Sequence, residues 1–190
     1  MHRELLSLLK AHETWDSYEQ ACHTKILEVS SVSEIFSSTF FSPGHFTASA
    51  FVLSPDDAEI LLIFHPGFQK WIQPGGHVSE EDSSLQETAL RELQEETAIH
   101  DVEILEWIPA ILDVDIHSVP ASSKKQQPAH EHYDVRFVFR ARSKPLTSSG
   151  DIAKMKWVSI EEIEDVDTDG SVRRALRRIA FHHRNRTHVE

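Results

Sequence analysis

Three glutamates recur at helical spacing in the middle of the chain and could together bind a metal ion. Glu92, Glu95 and Glu96 stand at positions i, i+3 and i+4, a spacing that puts three carboxylates on one face of a helix. Like charges at this spacing repel one another, and here they fall in the last turns of the predicted helix, where the macrodipole favours cations. A hard divalent cation such as Mg²⁺ would relieve both effects. The alternative interpretation is an acidic face that is exposed to solvent.

The residues before these glutamates predict a glycine loop that leads into the helix. Gly75 and Gly76 permit backbone conformations and a close ligand approach that other residues would prevent. Ser84 and Glu87 fit a capping box, so a helix should begin there and continue to about Thr97. An apolar stripe on this helix would face the core and comprises Leu85, Ala89, Leu90 and Leu93.

The segment 76–99 resembles the signature of the Nudix hydrolases, the Nudix box. That box reads Gly, five residues, Glu, seven residues, Arg-Glu, apolar, any, Glu-Glu, any, Gly, apolar. Here Gly76 is followed by five residues, Asp82, eight residues and the run RELQEETAI that begins at Arg91. Asp82 therefore replaces Glu, one extra residue precedes Arg91, and Ala98 replaces Gly. None of these departures removes one of the three glutamates.

The resemblance implies a role for each box residue. In similar enzymes the box glutamates bind magnesium, with manganese as a substitute, and Glu92, Glu95 and Glu96 match those positions. The carbonyl of Gly75 matches a frequent additional metal ligand, and Arg91 matches an arginine that orients a carboxylate. Glu96 is the first candidate for the general base, and Glu96, Glu95 and Arg91 form the predicted catalytic set.

A second candidate for the general base lies in a later loop. Some similar enzymes take the base from such a loop, and Asp151 stands six residues before Trp157. The alternative interpretation of Asp151 is a turn residue, because Asp is common in turns.

A second set of polar residues alternates along a predicted strand at 131–141. His130, His132, Asp134 and Arg136 would face one way along it, and apolar residues would face the other way. Such a row could bind phosphate, a sugar or a metal ion, and we predict it as the substrate-binding set. The alternative is a solvent-facing row on an antiparallel sheet.

Two other polar groups have simpler interpretations. Asp113, Asp115 and His117 are predicted as loop-edge residues at the end of the preceding strand. A basic face of the C-terminal helix is predicted to be exposed to solvent, and it comprises Arg173, Arg174, Arg177 and Arg178.

The aromatic residues and the cysteine are expected in or near the core. Phe68, Trp71 and Trp107 could stack on a base, although aromatic residues more often pack in the core. Cys22 is predicted to be a small buried residue.

Short strands and longer helices must position these residues. We predict strands at 45–53, 58–65, 70–73, 102–110, 131–141 and 154–158. We predict helices at about 1–12, 15–30, 84–97, 160–164 and 170–183. This order predicts an α/β protein with the Nudix fold, a mixed β-sheet sandwiched between α-helices. The Nudix domain would span residues 44–190, after an N-terminal helical extension at 1–43 whose leucines cover the sheet or mediate a homodimer.

Composition and charge narrow the range of partners. The 190 residues are enough for one domain, and the net charge of −12 argues against nucleic acid or an anionic membrane as a partner. A small anionic nucleotide remains compatible, because a bound cation can invert the local field. No apolar run approaches the roughly 20 residues of a membrane helix. The single cysteine excludes an intrachain disulfide, and we expect a cytoplasmic location.

The favoured function is Mg²⁺-dependent hydrolysis of a diphosphate linkage in a nucleoside diphosphate that is joined to another group. A nucleotide sugar such as ADP-ribose is the preferred substrate, on the resemblance and on the polar strand. One alternative is a nucleoside triphosphate or RNA 5′-end pyrophosphohydrolase. Another is a catalytically inactive regulatory domain that binds nucleotides, although such domains usually lose box carboxylates that this chain keeps.

Overall fold

A mixed sheet of eight strands forms the centre of the computed structural model, which describes residues 1–124, 126–144 and 154–186. In chain order the strands are β1 (Gly44–Leu53), β2 (Glu59–His65), β3 (Lys70–Ile72), β4 (Gly75–His77), β5 (Val102–Ile104), β6 (Asp113–Val119), β7 (His130–Ala141) and β8 (Met155–Ser159). The order β3-β2-β1-β7-β5 forms the main path, while β4 pairs with β1, β6 with β7, and β8 with β2. Strands β1 and β7 are parallel, and the other pairs are antiparallel.

Helices cover both faces of this sheet. The α-helices are α1 (His2–Ala11), α2 (Ser17–Val29), α3 (Leu85–Thr97) and α4 (Gly170–Arg186), and two 3₁₀ helices occupy Ser33–Phe36 and Ile160–Asp165. Helices α1, α2 and α3 contribute to one hydrophobic cluster, whereas α4 contributes to another. The predicted α/β fold with a sheet between helices is confirmed. Within the described residues, no helix has the length and apolarity needed to cross a bilayer.

Strand β1 shows how one strand serves both layers. One set of alternate side chains packs in the cluster that includes α3, namely Phe46, Ala48, Ala50 and Val52. On the opposite side, Phe51 and Leu53 pack in the cluster that includes α4. Because side chains alternate along a strand, His45, Thr47 and Ser49 share this second side. The face covered by α4 therefore becomes polar toward the start of β1, where His45 and Thr47 lie beside His132 and Asp134 of β7.

The N-terminal helices are built into the core. Leu5 and Leu9 of α1 and Ile26 of α2 are buried in the same cluster as Phe46. Leu5 and Leu9 thus pack within the chain, whereas Leu6 and Leu8 are only partly buried. The homodimer and the domain boundary at residue 44 stay predictions.

A buried glutamate joins the N-terminal helices to the rest of the chain. Glu19 of α2 accepts two hydrogen bonds of 3.1 Å from Arg178 of α4, and it accepts another of 3.2 Å from the backbone N–H of Val114 in β6. Moving α2 away from the sheet would leave the buried charge of Arg178 uncompensated, which is energetically unfavourable. The contact therefore stabilises the position of α2 against the sheet.

The predicted strand at 102–110 is wrong beyond Ile104. Strand β5 ends there, and the chain turns before β6 begins at Asp113. Pro109 lies in this interval, and proline cannot donate to a sheet ladder. The structure thus divides the predicted strand and its tail into two strands that both pair with β7.

Candidate active site

Local signals at both ends define the helix α3 that carries the three glutamates. The hydroxyl of Ser84 accepts a hydrogen bond of 3.1 Å from the backbone N–H of Glu87, as the capping box predicts. The reciprocal bond differs, because the Glu87 carboxylate accepts from the backbone N–H of Ser83 at 2.7 Å. At the other end Ala98 adopts the left-handed conformation, with φ 56° and ψ 21°.

The glycine loop touches the glutamates directly. The backbone N–H of Gly75 donates to Oε2 of Glu96 at 2.9 Å. A Cβ on Gly76 would lie 2.4 Å from Cδ of Glu92, and a Cβ on Gly75 would lie 2.5 Å from Oγ of Ser49. A side chain on Gly76 would displace the Glu92 carboxylate, and one on Gly75 would collide with β1, so the glycine loop packs directly between β1 and α3.

Arg91 connects this unit to the loop before the helix. Its Nη1 donates to Glu92 at 2.8 Å and to Glu95 at 3.2 Å, and its Nη2 donates to the backbone carbonyl of His77 at 2.7 Å. Two further bonds go to Asp82, from Nε at 3.1 Å and from Nη2 at 3.0 Å. Asp82 is therefore placed as the partner of the arginine.

Electrostatics raise the proton affinity of two of the glutamates. Burial, together with the charges of Glu92 and Glu95, raises the pKa of Glu96 to about 7. Burial also raises the pKa of Glu92, against the opposing effect of Arg91. By contrast, the bonds from Arg91 overcome burial at Asp82 and hold the pKa of that carboxyl below its usual value. Close carboxylates, two of them with raised pKa values, are the arrangement that a multivalent cation would stabilise.

The donor set fits magnesium. Within the described residues, the hydrogen bonds of the three glutamates use Oε1 of Glu92, Oε1 of Glu95 and Oε2 of Glu96, which leaves a second oxygen on each. Carboxylate and carbonyl oxygens are the ligands that Mg²⁺ prefers. The tight packing of Gly76 against Glu92 also holds the backbone close to these oxygens.

Two residues of the predicted substrate row are buried in an ion-pair network. Arg136 is 2% exposed, and it donates to Asp134 at 2.9 Å, to Asp113 at 3.0 Å and to the hydroxyl of Ser171 at 3.0 Å. Asp134 in turn accepts hydrogen bonds from Thr47 and Ser49 of β1. The structure therefore places Asp134 and Arg136 below the surface rather than in an open row.

The same network corrects the prediction for the preceding polar group. Asp113, Asp115 and His117 lie within β6 and pair with β7, so their interpretation as loop-edge residues is wrong. Arg174 of α4 donates to Asp113 at 2.8 Å and to Asp115 at 3.2 Å, and both carboxylates are buried. The alternating polar residues of this segment suggested an exposed edge. Their arginine partners, Arg136 and Arg174, come from other segments of the chain, so the segment alone did not indicate burial.

The predicted solvent-exposed basic face is correct for only part of α4. Arg174 and Arg178 are buried, where Asp113 and Glu19 compensate their charges. Arg177 is exposed and pairs with Glu164, as expected for a solvated face. Buried acidic partners on β6 and α2 make burial of the two arginines possible.

His130 and His132, the other half of the predicted row, lie among further histidines. Nε2 of His132 is 3.3 Å from Nε2 of His130 and 3.4 Å from Nε2 of His77. His45 lies beside His132 as its cross-strand partner. His45 and His77 were not predicted as site residues, because their proximity to β7 follows only from the pairing of β1 with β7 and β4.

A cleft of about 170 Å³ lies beside the strand that leads to the glycine loop. Its lining includes Phe68, Ile72, Gln73, His117, Ser118, Arg136, Asp169 and Ser171. Phe68 is 56% exposed, whereas Trp71 and Trp107 pack against hydrophobic clusters. Cys22 is buried, as predicted. Asp151 lies outside the described residues.

Comparisons with known proteins agree with this geometry. The NUDIX domain family model matches residues 43–179. A relative named "Probable DHNTP pyrophosphohydrolase" from Lactococcus lactis subsp. cremoris (strain MG1363) is 28% identical over 139 residues, which cover 73% of this chain and 78% of the relative.

Solved structures share the fold at lower identity. A NUDIX family hydrolase from Clostridium perfringens has a TM-score of 0.53 at 21% identity and covers 72% of this chain and 97% of its own. A C. elegans Ap4A hydrolase binary complex has a TM-score of 0.54 at 18% identity, and the match covers 74% of this chain and 98% of the other chain.

Proposed function

The chain belongs to the NUDIX family and is a hydrolase, and from that premise we propose that it cleaves the diphosphate linkage of a small nucleotide substrate with Mg²⁺. The observation that carries this proposal is the contact between the glycine loop and the glutamates. Gly75 binds Glu96, and Gly76 packs on Glu92. The backbone and the carboxylates thus converge where a cation and a phosphate could meet.

Each box residue has a proposed task. Glu92, Glu95, Glu96 and the carbonyl of Gly75 are the proposed ligands of Mg²⁺, or of Mn²⁺ as a substitute. When bound, the ion would neutralise phosphate charge and lower the pKa of the attacking water. Arg91 holds Glu92 and Glu95 in position through its two Nη1 bonds.

Glu96 is the proposed general base. Burial and the charges of Glu92 and Glu95 raise its pKa to about 7 in the metal-free chain, and a bound cation would lower that pKa, so the carboxylate would be ionised and able to accept a proton near neutral pH. Its bond from Gly75 fixes one carboxylate oxygen, so the other could face both the ion and a water molecule bound to it. Glu95 and Arg91 complete the proposed catalytic set, and Asp151 remains the alternative base.

The proposed substrate is a nucleoside diphosphate joined to a second group, with a nucleotide sugar such as ADP-ribose preferred. Exposed Phe68 offers a ring for stacking at the cleft, and Ser118 and Asp169 offer polar groups to hydroxyls. Asp134 and Arg136 support this cleft through their buried bonds, with Arg136 at its wall. His130 and His132 lie further along the same polar face.

A second candidate substrate is a triphosphate. The relative that is 28% identical is named a probable DHNTP pyrophosphohydrolase. This alternative is favoured if the two proteins share a class of substrate. An RNA 5′ end fits less well, because the net charge of −12 opposes a polyanion.

A substrate panel tests the proposal. The panel contains nucleotide sugars, ADP-ribose, dinucleoside polyphosphates, nucleoside triphosphates and a triphosphorylated RNA, each with Mg²⁺ and with chelator. We expect turnover of a nucleotide sugar that chelator abolishes, that Glu96→Gln reduces strongly, and that the exposed control Glu106→Gln leaves intact. Preferred turnover of a triphosphate would select the second candidate. Tight binding without any Mg²⁺-dependent turnover would instead identify a regulatory domain.

A further inference from the structure

Four histidine rings meet on the polar face of the sheet, apart from the three glutamates. His45 of β1 and His132 of β7 are cross-strand partners, and His77 of β4 packs its ring 5.0 Å from each of theirs. One ligand atom from each of these three residues lies within 4.8 Å of the other two. His130 is the fourth ring, 4.9 Å from that of His45 and 5.1 Å from that of His132. A fifth ring, that of His117, lies 5.2 Å from that of His132, and its Nδ1 lies 3.5 Å from a carboxylate oxygen of Asp115. We call His45, His77, His130 and His132 the histidine cluster.

Backbone carbonyls determine which ring nitrogen carries the proton in two residues of the histidine cluster. Nδ1 of His45 donates to the carbonyl of Phe40 at 3.1 Å, and Nδ1 of His130 donates to the carbonyl of Pro128 at 2.8 Å. Because a neutral imidazole has one N–H, Nε2 of each ring carries a lone pair. Metal-binding histidines are typically oriented in this way by a carbonyl on the other nitrogen.

One of these nitrogens is buried without a hydrogen bond. His45 is fully buried, and its Nε2 has no hydrogen-bond partner among the described residues. A buried polar atom without a partner destabilises the fold. A ligand at this position would satisfy that atom.

Two of the nitrogen separations match the coordination of zinc. Nε2 of His132 is 3.3 Å from Nε2 of His130 and 3.4 Å from Nε2 of His77. A single proton on His132 can be shared with only one of these neighbours. Nitrogens bound to Zn²⁺ at about 2.0–2.1 Å in a tetrahedron are about 3.3 Å apart, which is the separation of Nε2 of His132 from each of these two neighbours. The ligand atoms of His45, His77 and His132 all lie within 4.8 Å of one another.

We propose that His45, His77 and His132 bind a divalent transition-metal ion of the zinc class, with His130 as the fourth ligand. Neutral imidazole nitrogens suit Zn²⁺, whereas the carboxylates of α3 suit Mg²⁺, so the two sites select different ions. Burial and the neighbouring histidines lower the pKa of His132 to about 2, and burial lowers the pKa of His45. Both rings are therefore neutral, and able to bind a metal, near neutral pH.

His77 connects the histidine cluster to the glutamates. Its side chain belongs to the cluster, while its backbone carbonyl accepts the 2.7 Å bond from Arg91. It ends β4, the strand that contains Gly75 and Gly76. A metal ion bound by the histidine cluster would fix β4 and, through it, the glycine loop of the proposed active site.

Zinc binding to the metal-free full-length chain tests the proposal. Titration with Zn²⁺ alone near neutral pH, followed by calorimetry, should show one ion per chain. Co²⁺ in its place should give the absorption of a tetrahedral site. His77→Ala and His132→Ala should each weaken binding by at least about 100-fold. The exposed control His100→Ala and the box variant Glu96→Gln should bind as the wild type does.

Two results would overturn the proposal. One is equal Zn²⁺ affinity in the wild type, His77→Ala and His132→Ala. The other is loss of binding in Glu96→Gln with retention in His77→Ala, which would assign the ion to the carboxylates. His77 is only partly buried, so His77→Ala decides the question if His132→Ala does not fold. Activity is not needed for any of these measurements.

Discussion

Arg91 donates two parallel hydrogen bonds to Asp82, from Nε to Oδ1 at 3.1 Å and from Nη2 to Oδ2 at 3.0 Å. Asp82 also accepts bonds from the backbone N–H of Ser79 at 2.8 Å and from the hydroxyl of Thr88 at 2.9 Å. The extra residue before Arg91 is accommodated in the loop ahead of α3, where the Asp82 N–H bonds to the Ser79 carbonyl at 3.1 Å. A shorter side chain in a longer loop thus still reaches the arginine.

Asp82→Asn tests whether this pairing positions the glutamates that we propose as metal ligands. The amide cannot accept both bonds as a carboxylate does, so the guanidinium of Arg91 is no longer fixed by Asp82. Its hydrogen bonds to Glu92 and Glu95 should then weaken. We expect kcat to fall about 10- to 100-fold and the Mg²⁺ concentration for half-maximal rate to rise, as for other residues that orient metal ligands. Steady-state kinetics over a range of Mg²⁺ concentrations measure both quantities. Glu81→Gln, an exposed neighbour, is the control, and unchanged kinetics in Asp82→Asn would remove Asp82 from this role.

The helix of the candidate site was predictable because its signals are local. The cap at Ser84, the apolar stripe and the spacing of the three glutamates all lie within one segment, and the structure reproduces α3 within a residue. The polar network was not predictable in the same way. Arg136 meets Asp113 only because β6 and β7 pair, and it is Arg174, from a helix much later in the chain, that makes burial of Asp113 possible.

The histidine cluster shows the same limit more sharply. His45 and His132 are far apart in sequence, and they become neighbours through the parallel pairing of β1 with β7. Alternation along one strand identifies residues that share a face, but it does not tell which other strand lies alongside. Half of the cluster was therefore visible in the polar row of β7, and the other half was not.

Glu96 should make the stability of the metal-free protein depend on pH. Its pKa is about 7 in the folded chain and returns to its ordinary, lower value on unfolding. The folded state thus binds the proton more tightly, so stability falls as pH rises from about 4.5 to 7 and then stays level. With an allowance for its partial exposure, we expect Glu96→Gln to be about 1–2 kcal/mol more stable than the wild type at pH 8 in chelator.

Urea denaturation of both proteins at pH 4 and pH 8 measures this effect. The difference should vanish at pH 4, where the carboxyl is protonated in both states, and Mg²⁺ should reduce it at pH 8. Glu106→Gln is the exposed control, for which no such pH dependence is expected. Equal stability of Glu96→Gln and the wild type at pH 8 in chelator would contradict the raised pKa.

Gly76→Ala should separate folding from metal binding. The added methyl group would lie 2.4 Å from Cδ of Glu92, the end of a flexible side chain that can move aside. We therefore expect a folded protein with a displaced Glu92 and a loss of at least about 100-fold in kcat, since misplaced catalytic groups have effects of this size. Circular dichroism and kinetics measure the two properties. In Gly170→Ala the methyl group meets nothing within 4 Å, so this control should keep its activity, and full activity in Gly76→Ala would refute the close packing.

Arg136→Ala distinguishes a supporting residue from a substrate ligand. Arg136 is buried among Asp113, Asp115 and Asp134, so its removal leaves uncompensated carboxylates. We expect a loss of about 3–5 kcal/mol in the free energy of unfolding, measured by urea denaturation. Arg142→Ala removes an arginine whose side chain is 59% exposed and should change stability by less than about 1 kcal/mol. A stable Arg136→Ala with a strongly raised KM would instead assign Arg136 to direct substrate binding.

Ala98→Gly should stabilise the protein without changing its chemistry. Ala98 ends α3 at φ 56° and ψ 21° while its N–H bonds to the carbonyl of Gln94 at 2.9 Å. A non-glycine residue in this left-handed region raises the energy of the folded state by about 1–2 kcal/mol. Glycine removes that strain but gives the unfolded chain more freedom, which offsets about 0.4–1 kcal/mol of the gain. The net expectation is a gain of about 0.5–1 kcal/mol in the free energy of unfolding, read from the urea midpoint at constant slope, with kcat unchanged.

Ala89→Gly, in the middle of the same helix, is the control and should lower the free energy of unfolding by about 1 kcal/mol or more. A less stable Ala98→Gly would mean that chain entropy outweighs strain at this cap, and that the alanine is the better residue for this helix end.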